Sequence, residues 1–214
     1  NALDPESTGL MLMMHRKLRI AMYSGHIPLA EVSQSLNSTD LNKKIIALEE
    51  VMKQDFAIRK PKIAVLGINP HAGDNGLLGK EDQEVILPVV NELKDKGHTV
   101  FGPYPADGFF GNGQQDQFDA ILAIYHDQGL IPFKSISFGE GTNFTAGLKF
   151  VRTSPDHGTA FDIAGKGQAS IGSFSQALFN ALNIIRTRNL HLEASQNILK
   201  VQPERKGRKT VMNR

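Results

Sequence analysis

The chain has 214 residues, 40% of them hydrophobic, with 24 basic against 22 acidic side chains and no cysteine. That length allows one large domain with a substantial core, and the lack of cysteine excludes disulfides and thiolate ligation, so any zinc-type site must use nitrogen and oxygen. The net charge of +2 is uneven: residues 200–214 carry six basic groups and one acid, leaving −3 on residues 1–199, which excludes a basic nucleic-acid-binding body and marks the end as a solvated basic tail.

In chain order, the apolar run at 10–14 is too short, and too abruptly closed by His15-Arg16-Lys17, to span a membrane. A cysteine-free chain without a span is expected in the cytoplasm. Residues 18–23 read as a buried strand running out into Ser24-Gly25-His26-Ile27-Pro28. Residues 29–36 and 41–51 read as helices, the second with Ser38-Thr39-Asp40 as its N-cap and Leu41, Ile45, Ile46 and Leu48 on one face.

Pro61 ends that connection, and a second strand at 63–68 leads into Asn69-Pro70-His71-Ala72-Gly73, followed by a glycine-rich stretch to Gly79 that cannot be regular. Composition and period predict a helix over 80–96 closed by Gly97. A short strand at 99–101 reaches Gly102-Pro103-Tyr104-Pro105, and Asp107 follows in a loop. The third principal strand, 120–125, ends at His126-Asp127-Gln128-Gly129. Beyond it come a strand-like stretch at 133–138, a turn at 139–141, a strand-like stretch at 150–154, and a helix over 173–188 with Ser173 as N-cap.

Strands alternating with helices define a three-layer α/β/α fold with a parallel or mixed sheet. No repeat is visible, and no Gly-x-Gly-x-x-Gly fingerprint follows a strand, so a nicotinamide cofactor would bind outside the usual Rossmann arrangement.

Three histidines, His26, His71 and His126, each follow an apolar strand. Any one alone is as readily a surface or core residue. Three in the same context, at the strand ends where α/β sheets bind ligands, suit a divalent metal held by imidazole with a position left open for substrate. Asp127, adjacent to a proposed ligand, is either a partner fixing its tautomer or a helix N-cap. Asp107 is either a substrate-side carboxylate or a turn residue. Lys134 and Arg152 are candidate anion partners, or ordinary surface cations.

Asp156-His157-Gly158-Thr159-Ala160-Phe161-Asp162-Ile163-Ala164-Gly165-Lys166-Gly167 places polar handles among glycines that allow close approach to a ligand. It resembles the segment with which isocitrate and isopropylmalate dehydrogenases hold the adenosine half of NAD, with Thr159 for serine and Phe161 for proline. That resemblance points to His157, Gly158, Thr159, Ala160 and Asp162 as cofactor-binding residues and to an isocitrate/isopropylmalate dehydrogenase-like fold.

Gly-Ile-Asn-Pro-His-Ala-Gly (67–73), Tyr-His-Asp-Gln-Gly-Leu (125–130), Gly-Thr-Asn-Phe-Thr-Ala-Gly-Leu (141–148) and Val-Arg-Thr-Ser-Pro-Asp-His-Gly-Thr-Ala (151–160) together resemble the 4-hydroxythreonine-4-phosphate dehydrogenases of pyridoxal phosphate biosynthesis. The likeness runs from about residue 10 to 190. It implies NAD-dependent, metal-assisted oxidation with decarboxylation of 4-phosphohydroxy-L-threonine. His26, His71 and His126 would hold the metal, zinc foremost, with cobalt, magnesium or manganese as alternatives, at a site shared between the subunits of a homodimer. Lys134, Asn143 and Arg152 would contact the substrate, with Lys134 and Asp107 as catalytic residues.

Relatives acting on 4-phosphoerythronate, 4-phosphothreonate or aromatic cis-diols give a second reading, and a non-catalytic metal- or nucleotide-binding fragment a third. Measured against that family, residues 1–199 are expected to be its C-terminal two thirds. An N-terminal segment with a Gly-His-Thr substrate motif is not found, so low activity is expected of these residues alone.

Overall fold

The computed structural model describes residues 9–156, 161–168 and 170–196. The expected tail at 200–214 lies outside the described residues.

Seven strands form one sheet: β1 (Leu10–His15), β2 (Leu18–Met22), β3 (Ile63–Leu66), β4 (Val100–Tyr104), β5 (Ala120–Ala123), β6 (Thr142–Ala146) and β7 (Thr153–Pro155), in the order β4-β3-β5-β2-β1-β6-β7. β4, β3, β5 and β2 pair in parallel, whereas β1, β6 and β7 are added antiparallel. The sheet is therefore mixed.

The alternation of strand side chains divides the core in two. Ile63, Val65, Ala120, Leu122 and Ala21 enter the cluster under helices α2 (Ser38–Phe56), α3 (Leu87–Asp95) and α6 (Gly172–Gln196). Ala64, Leu66, Ile121, Ala123, Ile20 and Met22 enter the other, with Phe109 of α4 (Ala106–Gly111) and Leu130 and Phe133 of α5 (His126–Ser137). A short helix, α1 (Leu29–Ser35), joins β2 to α2. The result is the three-layer arrangement that alternating elements predict.

The apolar run at 10–14, too short for a span, is β1, hairpinned to β2 with Arg16 at a φ of 52° in the two-residue loop. Such loops require positive φ in at least one central residue. Residues 133–137, expected as part of a strand, are instead the end of α5, and Phe138 is its left-handed C-cap. Leu130, Phe133 and Ser137 recur at helical spacing and are buried, while Ile136 and Phe138 are exposed. A six-residue window carries too little period to separate the two cases.

α2 is capped by Asn37, whose side chain accepts from the Asp40 amide at 2.9 Å, so Ser38-Thr39-Asp40 is its first turn rather than its cap. The helix expected over 80–96 opens as a π-turn, Asp82–Ile86, before α3. Leu87 donates to the Asp82 carbonyl five residues back. Pro88 behind it has no N–H for the ordinary ladder, and its ring crowds the carbonyl four residues earlier. Gly97 ends the segment at a φ of 90°, as expected. Ser173 lies inside α6 instead of capping it; its hydroxyl donates to the Gly141 carbonyl at 3.1 Å.

Candidate metal and substrate site

Because β2, β3, β4 and β5 are parallel, the segments leaving their carboxyl ends gather on one edge of the sheet. These segments carry His26, His71, Asp107 and His126. β3 hands on to β4 on one side, and β5 leads through α5 to β6 on the other. The edge between them is a point where strand order reverses, the usual place for a ligand crevice.

Pairing continues past β2 and β5. Tyr23 and Ser24 donate their amides to Ala123 and Ile124 at 2.7 and 3.0 Å, and the Ser24 hydroxyl reaches the Ile124 carbonyl at 2.7 Å. This zipper sets the two following segments side by side. The His26 and His126 rings lie 5.3 Å apart between centroids, tilted by 45°, and share a cavity of about 300 Å³ with Tyr125 and Asp127.

His126 opens α5, and Asp127 Oδ1 lies 2.7 Å from its Nδ1. With Nδ1 protonated and donating to that carboxylate, Nε2 presents its lone pair to the cavity. The N-cap position belongs to Tyr125, so Asp127 acts on the imidazole and not as a cap.

His71 is held differently. Residues His71, Ala72, Gly73, Asp74 and Asn75 all have positive φ, at 53°, 50°, 81°, 41° and 55°, forming a left-handed turn. L-residues avoid this region at a cost of roughly 1–2 kcal/mol each, so the turn needs external support. Asp82, fully buried, supplies it: Oδ1 accepts from the Ile68 amide at 2.9 Å, and Oδ2 accepts from the Asn69 amide at 3.1 Å and from Asn69 Nδ2 at 2.9 Å. A Cβ on Gly67 would stand 2.7 Å from Asp82 Oδ1, and one on Gly79 2.5 Å from Asn69 Nδ2. Those glycines allow the turn to close on its support.

His71 itself is exposed, facing a different concavity beside Pro103 and Pro105. Among the described residues, no group of three His, Cys, Asp or Glu side chains could hold a metal ion. The two imidazole nitrogens of His26 and His126 are what this cavity could offer a divalent metal, and the described residues add no third such side chain beside them.

Asp107 lies in the first turn of α4, a short helix where a loop was expected. It lines a groove of about 280 Å³ with Asp127, Phe110, Tyr125, Ile131 and Pro132. Asn143 sits in β6 opposite Met13, which packs on the α5 side of the sheet. Directly opposed residues share a face, so Asn143 is on that side as well, and its Oδ1 is buried without a partner among the described residues. Thr145, two residues on, accepts from Arg152 Nη1 at 2.7 Å. Lys134 is exposed two turns along α5, about 12 Å from His126 along the axis at the usual helical rise, and so outside its cavity.

Of the proposed cofactor residues, His157, Gly158, Thr159 and Ala160 lie outside the described residues, as does the side chain of Asp162. Sequence reasoning did not single out Ser24, Asp82 or Gln128. Ser24 and Gln128 flank predicted ligands by two residues; nothing local marks Asp82, whose partners lie 13 and 14 residues back.

A mixed α/β sheet with paired imidazoles and two carboxylates at the carboxyl ends of its parallel strands has the architecture in which α/β proteins place a ligand crevice. Comparison with known proteins then gives the family: residues 3–181 match the one described as pyridoxal phosphate biosynthetic protein PdxA, and the chain belongs to it. The chain is 49% identical over 193 residues to the 4-hydroxythreonine-4-phosphate dehydrogenase of Bacteroides thetaiotaomicron, covering 90% of this chain and 53% of that protein.

Among solved structures, the 4-hydroxythreonine-4-phosphate dehydrogenase of Klebsiella pneumoniae superposes with a TM-score of 0.74 at 38% identity, over 87% of this chain and 56% of that one. A terephthalate 1,2-cis-dihydrodiol dehydrogenase from Burkholderia xenovorans gives 0.66 at 31% identity, over 82% and 55%. The chain spans about half the length of the curated relatives it matches.

Proposed function

We propose that this chain carries the metal- and phosphate-binding part of an NAD-dependent dehydrogenase that oxidises and decarboxylates 4-phosphohydroxy-L-threonine in pyridoxal phosphate biosynthesis. The observation that carries the reading is the His26–His126 pair, 5.3 Å apart with Asp127 behind it, at the carboxyl edge of the parallel strands. A bound divalent metal, zinc foremost, supplies Lewis acidity at the substrate hydroxyl and where charge develops as carbon dioxide leaves.

The chain's own residues bind and orient. Asp127 holds the His126 tautomer, and Asp107, across the shared groove, orients the substrate amine. Arg152 offers bidentate donors to the phosphate from the face that also carries Asn143, and Lys134 adds a point charge from the helix covering that face. His71, exposed and apart from the pair within one chain, supports a two-fold dimer in which the partner subunit's His71 completes the metal site. The segment from His157 to Asp162 is assigned to the adenosine side of NAD on sequence resemblance.

A second reading rests on the terephthalate cis-dihydrodiol dehydrogenase likeness: the same frame serving an aromatic cis-diol. The test is NADH formation, with zinc supplied, by a protein of family length carrying these residues, offered 4-phosphohydroxy-L-threonine, 4-phosphoerythronate or a cis-dihydrodiol. Turnover of the first above the others supports the proposal; preference for the diol supports the second reading. No turnover of any of them, with metal bound, overturns the catalytic assignment.

A further inference from the structure

We propose that Asp82 is the positioning residue of the His71 segment, a buried peg that sets the left-handed turn in the form in which its imidazole can serve as a ligand. This rests on the reading of His71 as a metal ligand.

The turn is intrinsically unfavourable, since four of the six consecutive residues at positive φ, 71–76, are not glycine. Its entrance is nevertheless fixed by three N–H groups converging on one carboxylate: the amides of Ile68 and Asn69 and the Asn69 side chain, at 2.9, 3.1 and 2.9 Å. Asp82 is wholly buried, and it has no cationic partner among the described ion pairs. A buried carboxylate is costly unless hydrogen bonds compensate it, and among the described residues the compensating donors belong to residues 68 and 69.

The remaining Asn69 side-chain proton goes to Glu81 Oε2 at 2.9 Å, so Asn69 is clamped by both neighbouring acids. Asp82 lies in the π-turn, and its own carbonyl accepts from Leu87. The peg is therefore anchored in the helix leading to α3, while its carboxylate holds the backbone two residues ahead of His71. Gly67 and Gly73 pass close enough that an added Cβ would lie 2.7 Å from Oδ1 and 3.4 Å from Oδ2. The chain is cut to fit this carboxylate.

A residue that only stabilises the fold and one that positions a ligand differ in their coupling to that ligand. The experiment is titration of the protein with cobalt(II) by calorimetry and visible absorption, for the parent, His71→Ala, Asp82→Asn, Asn69→Ala and the double variants with His71→Ala. Asp82→Asn replaces one acceptor by a donor facing N–H groups, and is expected to weaken cobalt binding roughly ten- to a hundredfold, the range seen when outer partners of metal ligands are removed. Asn69→Ala keeps the backbone donors and is expected to give a smaller loss, so it decides the matter if Asp82→Asn does not fold.

In the His71→Ala background neither substitution is expected to lower affinity further, and the cobalt spectrum of Asp82→Asn should shift toward that of His71→Ala. Losses that add fully in the double variants, or single variants that bind like the parent while His71→Ala binds weakly, overturn the positioning role and leave His71 as a ligand. If His71→Ala itself binds like the parent, the reading of His71 as a ligand fails, which is a separate result.

Discussion

Gln128 bridges the ends of two adjacent parallel strands: its Nε2 donates to the Gly67 carbonyl at 2.6 Å, while its Oε1 accepts from the Ile124 amide at 2.7 Å. The side chain is buried in the first turn of α5, two residues past His126, and Gly67 lies four residues before His71. One amide thus spaces the segments that carry two of the three histidines.

Replacing Gln128 with leucine would leave a buried carbonyl and a buried amide unpaired. Each costs about 1–3 kcal/mol, so Gln128→Leu is expected to lose roughly 2–4 kcal/mol in urea unfolding. An unchanged midpoint would show that the bridge contributes nothing to stability.

The left-handed turn supplies a prediction of opposite sign. Ala72, at a φ of 50°, gains by becoming glycine, because relief of roughly 1–2 kcal/mol of strain exceeds the roughly 0.4–1 kcal/mol of added unfolded-chain entropy. Ala72→Gly should therefore raise the melting temperature. Gly79→Ala should lower it, since its φ is 122° and the new Cβ would meet the Asn69 amide at 2.5 Å.

Acid sensitivity should be traceable to Glu81. The Ser33 hydroxyl, the Glu81 backbone amide and the Asn69 side chain hold its carboxyl down to about 2, from an ordinary 4.5. A depressed folded-state value contributes stability that is present above about 4.5 and lost as pH falls toward about 2. Because Ser33 lies in α1, behind His26, and Asn69 precedes His71, this loss should loosen both segments together. Urea unfolding of the parent across that window should show a steeper fall than Glu81→Gln; identical slopes would remove Glu81 from the account.

The parallel strands were legible as continuous apolar runs, and the histidines stood out because each follows one. β1 and β6 were not. Leu10 to Met14 has the same apolar character as a short buried helix, and Thr142 to Ala146 is too polar to mark itself until Met13 is known to lie opposite Asn143. The stretch at 133–138 misled because Ile136 and Phe138 are apolar yet exposed, mimicking strand alternation. The proximity of His26 to His126 follows from strand order, which no local pattern encodes: β5 lies beside β2 although almost a hundred residues separate them. Asp82 was invisible for a related reason, since its partners are turn amides and no side-chain motif reports them.

Asp127→Asn should act on the metal without unfolding the protein. An amide in place of the carboxylate at 2.7 Å from His126 Nδ1 no longer enforces the tautomer, and zinc affinity is expected to fall roughly tenfold or more. Calorimetry checks this, with far-UV circular dichroism as the control for folding. Affinity equal to the parent would reassign Asp127 to the groove it shares with Asp107.

Zinc titration of the parent against His26→Ala and His126→Ala asks directly whether the two imidazoles are metal ligands. Both residues line the same cavity within one chain, so either substitution is expected to lower zinc affinity by roughly tenfold or more while the melting temperature of the zinc-free protein is unchanged. Parent-like zinc binding in both variants would contradict the account, because the two imidazoles 5.3 Å apart would then not be the ligands.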